Sequence, residues 1–492
     1  MSNDITTETL GMLKGVYQSG PLAKAGNTVT TAAGLVNYDL QAPAKNLYPI
    51  ITILSKKIPR VKGKGGTATN WKQVNNLFGS GFDAMGWVPE GQRSGVMTLD
   101  VTDKAASYRT LGEEAALTFE AQSASEGFED ERSRSSIRLL QKAMRKEELA
   151  ILGGNASVAL GTCATPTLSA SGSGATLPAL TYSVICVELT FEGLKNSSVS
   201  ATGVATTKTI TGQDGQTFSL AGGSGNKSTA ATQAVTLGQT LTATVVPSRS
   251  ALGFAWYVGA SGSETLQAIT TVPTAAFSAP LASGNQAATA ITADNSRNQN
   301  LGFDGLLVNA LNPANNAYVK QLNGATLTAS GRGSVTEIDV MLKSMWDNYK
   351  LSSTVIYVSA QEQQGITNKV LSGTSGSLLR QNIAMGEPGA IVAGNVVAHY
   401  YNPFALNGGV MIPVLLHPDV PAGCIIAWAD NLPAQYQSNE VPNVAEMHLR
   451  RDWYEIEWPL VTRSYQHGIY AEETLAVYAP FAMGVITGVG AG

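Results

Sequence analysis

Histidine, cysteine and charge are all scarce in this chain, and each scarcity closes off a class of chemistry. The four histidines, His399, His417, His448 and His467, fall in different expected elements without metal-ligand spacing, which argues against a histidine-built metal centre. The three cysteines, Cys163, Cys186 and Cys424, form no CxxC and lie in apolar or Thr-rich surroundings, so they read as reduced structural residues. Charged side chains are only 14% of the 492 residues and the formal net charge is -4. A balance so near neutral does not mark a nucleic-acid binder. No apolar run approaches the ~18 residues a membrane helix needs; the best candidate, Ala476 to Val489, is broken by Pro480 and by glycines. Met1 to Leu10 is too polar for a signal peptide, so the expectation is a soluble chain made in a cytoplasm.

Catalytic motifs are missing as well. There is no GxSxG and no HExxH, and Gly222 to Ser228 fails as a phosphate loop because Asn226 stands where glycine must precede the lysine. The acid pairs Glu113-Glu114, Glu147-Glu148 and Glu472-Glu473 are adjacent in sequence, which points their side chains apart on a helix or a strand and is wrong for shared acid/base work. Three Asn-x-Ser sequons carry no meaning without a secretion signal. The expectation is a protein that is not an enzyme and uses no cofactor or metal.

Proline is absent from Phe119 to Leu152 and glycine occurs there only at Gly127, so the stretch predicts one helix on the order of 30 residues, roughly 45 Å long. Ile137, Leu140, Met144 and Ile151 fall on one narrow face, while Arg134, Arg138, Lys142 and Arg145 occupy the others. Acids crowd the front, Asp130 can pair with Arg134, and Gly153-Gly154-Asn155 is the stop. A helix with so thin an apolar stripe must lie along a sheet or along other subunits; an exposed coiled-coil arm is the plainer alternative.

Before this helix, residues 1–64 read as an arm with one short helix between Thr7 and Tyr17, prolines that prevent regular structure, and a basic end at Lys56, Lys57, Arg60, Lys62 and Lys64. Thr67 to Val74 and the alternation of Met97, Leu99 and Val101 predict two paired strands joined by a long glycine-rich loop that exposes Phe82 and Trp87. After the helix, residues 164–300 hold only ten charged side chains and are rich in Ser, Thr, Ala and Gly, a shift that marks a separate module. Its short alternating segments predict a β-sandwich with Trp256 in the core, and the phase change after Cys186 predicts a bulge or break. Gly302 to Leu307 reads as a glycine-started strand. Ser334 to Glu337 and Ser359 to Glu362 read as capping boxes, with a buried strand at Thr354 to Val358 between the two helices they open. Residues 391–401, 410–416, 424–429, 452–461 and 474–483 read as strands.

This order of elements, with WVPEGQ at Trp87 to Gln92, EELAILGGN at Glu147 to Asn155 and FDGLL at Phe303 to Leu307, resembles the major capsid proteins of tailed bacteriophages with the HK97 fold. The resemblance implies an α+β, HK97-like capsid fold carrying an inserted all-β, Ig-like sandwich. It implies an N-terminal arm at 1–64, an extended loop at 65–118, a spine helix at 119–158, the insert at 164–300, the rest of the peripheral domain at 301–380 and an axial domain at 381–492. It further implies pentamers and hexamers tiling an icosahedral virion shell around double-stranded DNA. The expected partners are other copies of the chain, a portal protein, separate scaffolding or decoration proteins and, without sequence specificity, the packaged DNA; no membrane is expected. An arm this short leaves no room for a fused scaffolding segment. Inter-subunit contacts are expected at Phe82, Trp87, Glu90, Arg93, Arg138 and Arg145. Lys72 and Lys104 are available for the covalent loop cross-link of some relatives, but no local motif singles out either. The rival from another class is a surface-layer or adhesin protein that binds through the sandwich.

Overall fold

The computed structural model describes residues 52–492 except 64, 77–86, 94–99, 126–129, 300, 332, 373–396, 406–407, 431, 433–442, 461 and 492. The expected helix at Thr7 to Tyr17, and Phe82, Met97, Leu99 and Gly127, lie outside the described residues.

The described chain opens with the short helix α1 (Leu54–Lys57) and strand β1 (Arg60–Lys62). Strands β2 (Ala68–Asn76) and β3 (Asp100–Ser107) pair antiparallel from Ala68 opposite Ser107 to Asn76 opposite Asp100. The base of this ribbon is fastened to the body: Trp71 Nε1 donates to the Val477 carbonyl at 3.1 Å, and Gln73 Nε2 to Asn315 Oδ1 at 3.1 Å. Strand β4 (Arg109–Thr118) then leads into helical residues.

The proline-free stretch forms two helices, α2 (Phe119–Ser125) and α3 (Glu131–Gly153). Asp130 is the reason for the restart. Its carboxylate accepts the N–H groups of Arg132 and Ser133 and the Ser133 hydroxyl, so it caps a helix start and is not an interior residue. Arg134 reaches Glu131 at 3.1 Å, in place of the expected pairing with Asp130. The buried face is also rotated from the expected one. Ile137 is 57% exposed, and the residues turned inward are Leu139, Ala143, Glu147 and Ile151, at steps of four, with Glu148 and Leu152 beside them. Two ionisable residues override the apolar pattern because their partners are inside.

Residues 160–296 build two facing sheets. One has the order β13-β10-β5 and the other β12-β11-β6-β9, from β5 (Thr167–Ser171), β6 (Leu180–Leu189), β9 (Ala231–Val235), β10 (Thr240–Thr244), β11 (Gly253–Gly259), β12 (Thr265–Thr270) and β13 (Thr274–Phe277). The ribbon β7 (Thr207–Thr211) and β8 (Thr217–Ala221) and helix α4 (Phe191–Asn196) lie between these strands in sequence. Leu241, Ala243 and Phe277 from the first sheet meet Val184, Cys186, Phe254 and Trp256 from the second. The expected break in β6 does not occur. The strand pairs with β11 in continuous register from Ser183 to Leu189. The apolar residues change phase in the sequence because both faces are covered, Tyr182, Val184 and Cys186 on one side and Ile185, Val187 and Leu189 on the other. The irregularity lies instead between Trp256 and Tyr257, where β11 meets β12.

The chain returns through α5 (Leu306–Leu311), which is a helix where a strand was expected. Gly305 N–H donates to the Gly154 carbonyl at 2.8 Å, bringing the two ends of the sandwich segment together. A Cβ on Gly305 would stand 2.6 Å from the Ala150 carbonyl oxygen, which fixes glycine there by contact. The remaining elements are β14 (Tyr318–Gln321), α6 (Thr336–Tyr349), β15 (Val355–Val358), α7 (Ala360–Ser372), β16 (His399–Asn402), β17 (Val410–Leu416), β18 (Ile425–Trp428), the long hairpin β19 (Ala445–Glu457) and β20 (Ser464–Val477), and β21 (Met483–Thr487). Six strands form a mixed sheet in the order β14-β21-β18-β15-β17-β16, and four form a second in the order β1-β19-β20-β4. Alternate residues of β15, β18 and β21 face α5 and the end of α3 on one side, and α6 and α7 on the other. That three-layer burial explains the unbroken apolar runs.

Neither expected capping box closes as a box. At the start of α6, Val335 is the cap residue without a side-chain bond, and Glu337 turns away to accept the Thr328 N–H at 2.9 Å. Before α7 the Ser359 hydroxyl donates directly to the Glu362 carboxylate, whose other oxygen takes the Gly423 N–H at 2.7 Å.

Candidate functional site

The last turns of α3 carry two buried carboxylates in succession, placed where a helix dipole disfavours negative charge. Each is held by groups from distant parts of the chain. Glu148 accepts the backbone N–H groups of Ile53 at 2.9 Å and of Leu54 and Ser55 at 2.8 Å, so it serves as the missing N-terminal cap of α1. Its fourth partner is His417 Nε2 at 3.0 Å. His417 Nδ1 accepts the Asp419 N–H at 3.2 Å, which leaves the hydrogen on Nε2 and makes the ring a donor to Glu148. Burial pushes the Glu148 carboxyl pKa up, but the bonds from His417, Leu54 and Ser55 outweigh it and hold it below the usual carboxylate value.

Glu147 takes the Ser55 hydroxyl at 3.2 Å and the Arg60 guanidinium. Arg60 also reaches Asp452 of β19 at 3.0 Å and Glu473 of β20 at 3.6 Å. The Glu473 side chain is fully buried, and neither of its oxygens finds a hydrogen-bond donor among the described residues. Desolvation, then the nearby Glu147 charge, push its pKa up to about 9, against the pull of Arg60. The sequence reading treated Glu147-Glu148 and Glu472-Glu473 as two divergent pairs. The fold sends Glu148 toward α1 and brings Glu147 to Glu473 from a different element. Two consecutive acids near a helix C-terminus, one of them four residues after Ala143 and four before Ile151, were the available signal.

The predicted contact residues fall in different settings. Arg145 forms a two-pronged ion pair with Asp419, which also receives Lys195 at 3.5 Å, so this guanidinium is engaged within its own chain. Arg138 is half-exposed and lies 3.7 Å from Glu131. Gln92 N–H donates to the Pro89 carbonyl at 3.1 Å and Gly91 takes the left-handed backbone (φ +76°), making a turn that glycine accommodates without strain. Trp87 is 92% exposed beside it, and Glu90 and Arg93 are exposed too. Among the described residues no group of three or more His, Cys, Asp or Glu side chains could hold a metal ion, and no helix is long and apolar enough to cross a membrane.

Comparison with solved structures finds similarity to the capsid asymmetric unit of cyanophage A-1(L), at 10% identity over 94% of this chain and 98% of that one, with a TM-score of 0.45. The capsid of an empty GTA particle is similar at 9% identity over 94% and 98%, TM-score 0.43. The holo-SrpI encapsulin complex of Synechococcus elongatus PCC 7942 is similar at 9% identity over 94% and 97%, TM-score 0.38. No family model matches the chain, and no curated protein matches it.

Proposed function

We propose that this chain is a non-enzymatic shell subunit of the HK97 type, a major capsid protein whose copies form the pentamers and hexamers of an icosahedral phage head around double-stranded DNA. The observation that carries the reading is the β2–β3 ribbon. Its base is tied to the body through Trp71 and Gln73, and in the segment that joins its two strands in sequence Trp87 is almost wholly exposed. Leaving an indole in water forfeits burial worth about 2 kcal/mol, and a neighbouring subunit is the partner that would recover it. In this reading residues 1–64 are an arm that clasps a neighbour, 65–118 the extended loop, 119–158 the spine helix, 301–380 the rest of the peripheral domain and 381–492 the axial domain. Residues 164–300 are an Ig-like insertion on the outer face, where it clears both the packaged DNA and the edges along which subunits tile. Phe82, Trp87, Glu90, Arg93, Arg138 and Arg145 are the proposed inter-subunit contacts. The assembled head would also take a portal protein, with a separate scaffolding protein or none, and is built in the host cytoplasm.

Trp87→Ala tests this reading. The variant subunit is expected to fold with wild-type circular dichroism and thermal midpoint, because the side chain has little to lose within its own chain. Its particles are expected to form in lower yield or to dissociate at lower temperature, measured by sedimentation and by heating followed with light scattering. Wild-type yield and heat resistance would mean that the tip is a solvated loop.

A further inference from the structure

The sandwich and the body form a cleft of about 240 Å³ between them. Arg249, in the loop between β10 and β11, stands on the sandwich side, and the body supplies Tyr318 of β14, Asn348 and Tyr349 at the end of α6, and Phe481. The Tyr349 and Phe481 rings stack with centroids 4.5 Å apart and planes 22° apart, so part of the wall is an aromatic surface. Among the described residues that line the cleft, Arg249 is the one that carries a charge. Its Nη2 donates to the backbone carbonyls of Ala317 at 3.0 Å and Ala310 at 3.5 Å, its Nε has no acceptor, and no carboxylate among the described residues pairs with it. A guanidinium keeps its charge in any setting, and here, half-buried beside neutral carbonyls, it lacks the anion that its planar fork fits best. The cleft therefore suits an acidic group carried next to an apolar or aromatic one.

The chain itself offers that combination. Trp87 is 92% exposed, and Glu90, further along the same segment between β2 and β3, is exposed and has no basic partner among the described residues. An indole so fully in water is not seated in the cleft of its own copy. We propose, resting on the shell function given above, that the cleft is the socket for this segment of a second copy, with that copy's Trp87 against the Tyr349–Phe481 stack and its Glu90 carboxylate on Arg249. Charge then meets charge and aromatic surface meets aromatic surface. Each copy gives one segment and receives another, a head-to-tail contact of the kind that closes into rings, as pentamers and hexamers need. The indole supplies most of the burial, while the ion pair selects the partner and sets its register.

A double-mutant cycle on particles of the full-length chain tests the socket. Glu90→Gln and Arg249→Gln each remove one charge, and each is expected to lower the particle yield about fivefold, read by sedimentation. The chain carrying both is expected to do no worse than either alone, because the second change removes an interaction already lost. Reversing the pair, with Glu90→Arg and Arg249→Glu in one chain, is expected to raise the yield above that of either reversal by itself. Circular dichroism and the thermal midpoint of the unassembled subunit separate a lost contact from lost folding. Labelling with phenylglyoxal needs no variant to fold: Arg249 of the wild type is expected to react in the free subunit and to be shielded in the particle. Additive losses in the double variant, a wild-type yield from folded Glu90→Gln, or equal labelling of Arg249 in both states overturns the socket and leaves the shell function standing. A wild-type chain that forms no particle overturns the two together.

Discussion

Glu148→Ala is expected to destabilise the subunit by about 3–5 kcal/mol, one of the two largest single-residue effects in the molecule. The carboxylate satisfies three N–H groups at the start of α1 and the Nε2 hydrogen of His417, all in a buried setting. Removing it leaves those donors without an acceptor, and water cannot reach the space readily because Glu148 and the His417 side chain are fully buried. Equilibrium unfolding in urea measures the loss, and a change under about 1 kcal/mol would mean that α1 is seated by Leu54 and Ile58 alone. The same residue sets an acid limit. Its pKa lies below the ordinary 4.5, so its contribution is complete above that value and is lost as pH falls through the depressed one. Stability of the wild type should therefore fall in acid by more than that of Glu148→Ala.

Trp256→Ala is the second large effect, expected to cost about 3–5 kcal/mol. The indole is fully buried at the centre of β11, between the two sheets of the sandwich, and its Nε1 donates to Thr270 Oγ1 at 2.9 Å. Truncation opens a cavity and strands a hydroxyl that then keeps only the Val272 carbonyl at 2.6 Å. Where the damage spreads is also informative. Phe191 and Leu252, which flank the sandwich strands, pack with Leu54, Leu152 and Leu306 in the body, and Arg249 donates to the Ala317 carbonyl at 3.0 Å. Hydrogen exchange should show lost protection in β6 and β11 first, with the six-stranded sheet retained. Equal loss in both would mean that sandwich and body unfold as one unit.

The six-stranded sheet was the most legible part of the fold. Strand β15 between α6 and α7, and the run at β18, are apolar and buried on both faces, so length and flanking turns sufficed to place them; β17 is equally apolar but leaves Met411 and Leu415 exposed. The same two-sided burial misled the reading of β6, where a one-face template turns a continuous strand into a broken one. At α5 the run Leu306–Leu311 is too short for periodicity to separate helix from strand, and what decides it is Gly305 meeting the end of α3 from across the chain. The α3 face failed for a related reason. Hydropathy assigns Ile137 inward and Glu147 outward, while the structure does the reverse because Arg60, Ser55, His417 and the α1 backbone supply partners that no local window contains. Asp130 was legible as an acid near a helix start, and its role as the cap itself follows from its two backbone bonds. Of the expected contact residues, Trp87 is placed by its own glycine-rich, turn-forming surroundings, whereas the engagement of Arg145 with Asp419 depends on a residue far along the chain.

Electron microscopy of the purified, concentrated chain, alongside sedimentation in native buffer, tests the shell assignment most directly. The proposed function predicts closed, hollow particles of uniform diameter, or rings of five and six subunits that close into such particles when scaffolding and portal proteins are supplied. Sedimentation as monomer or dimer only, with those proteins present, would contradict it.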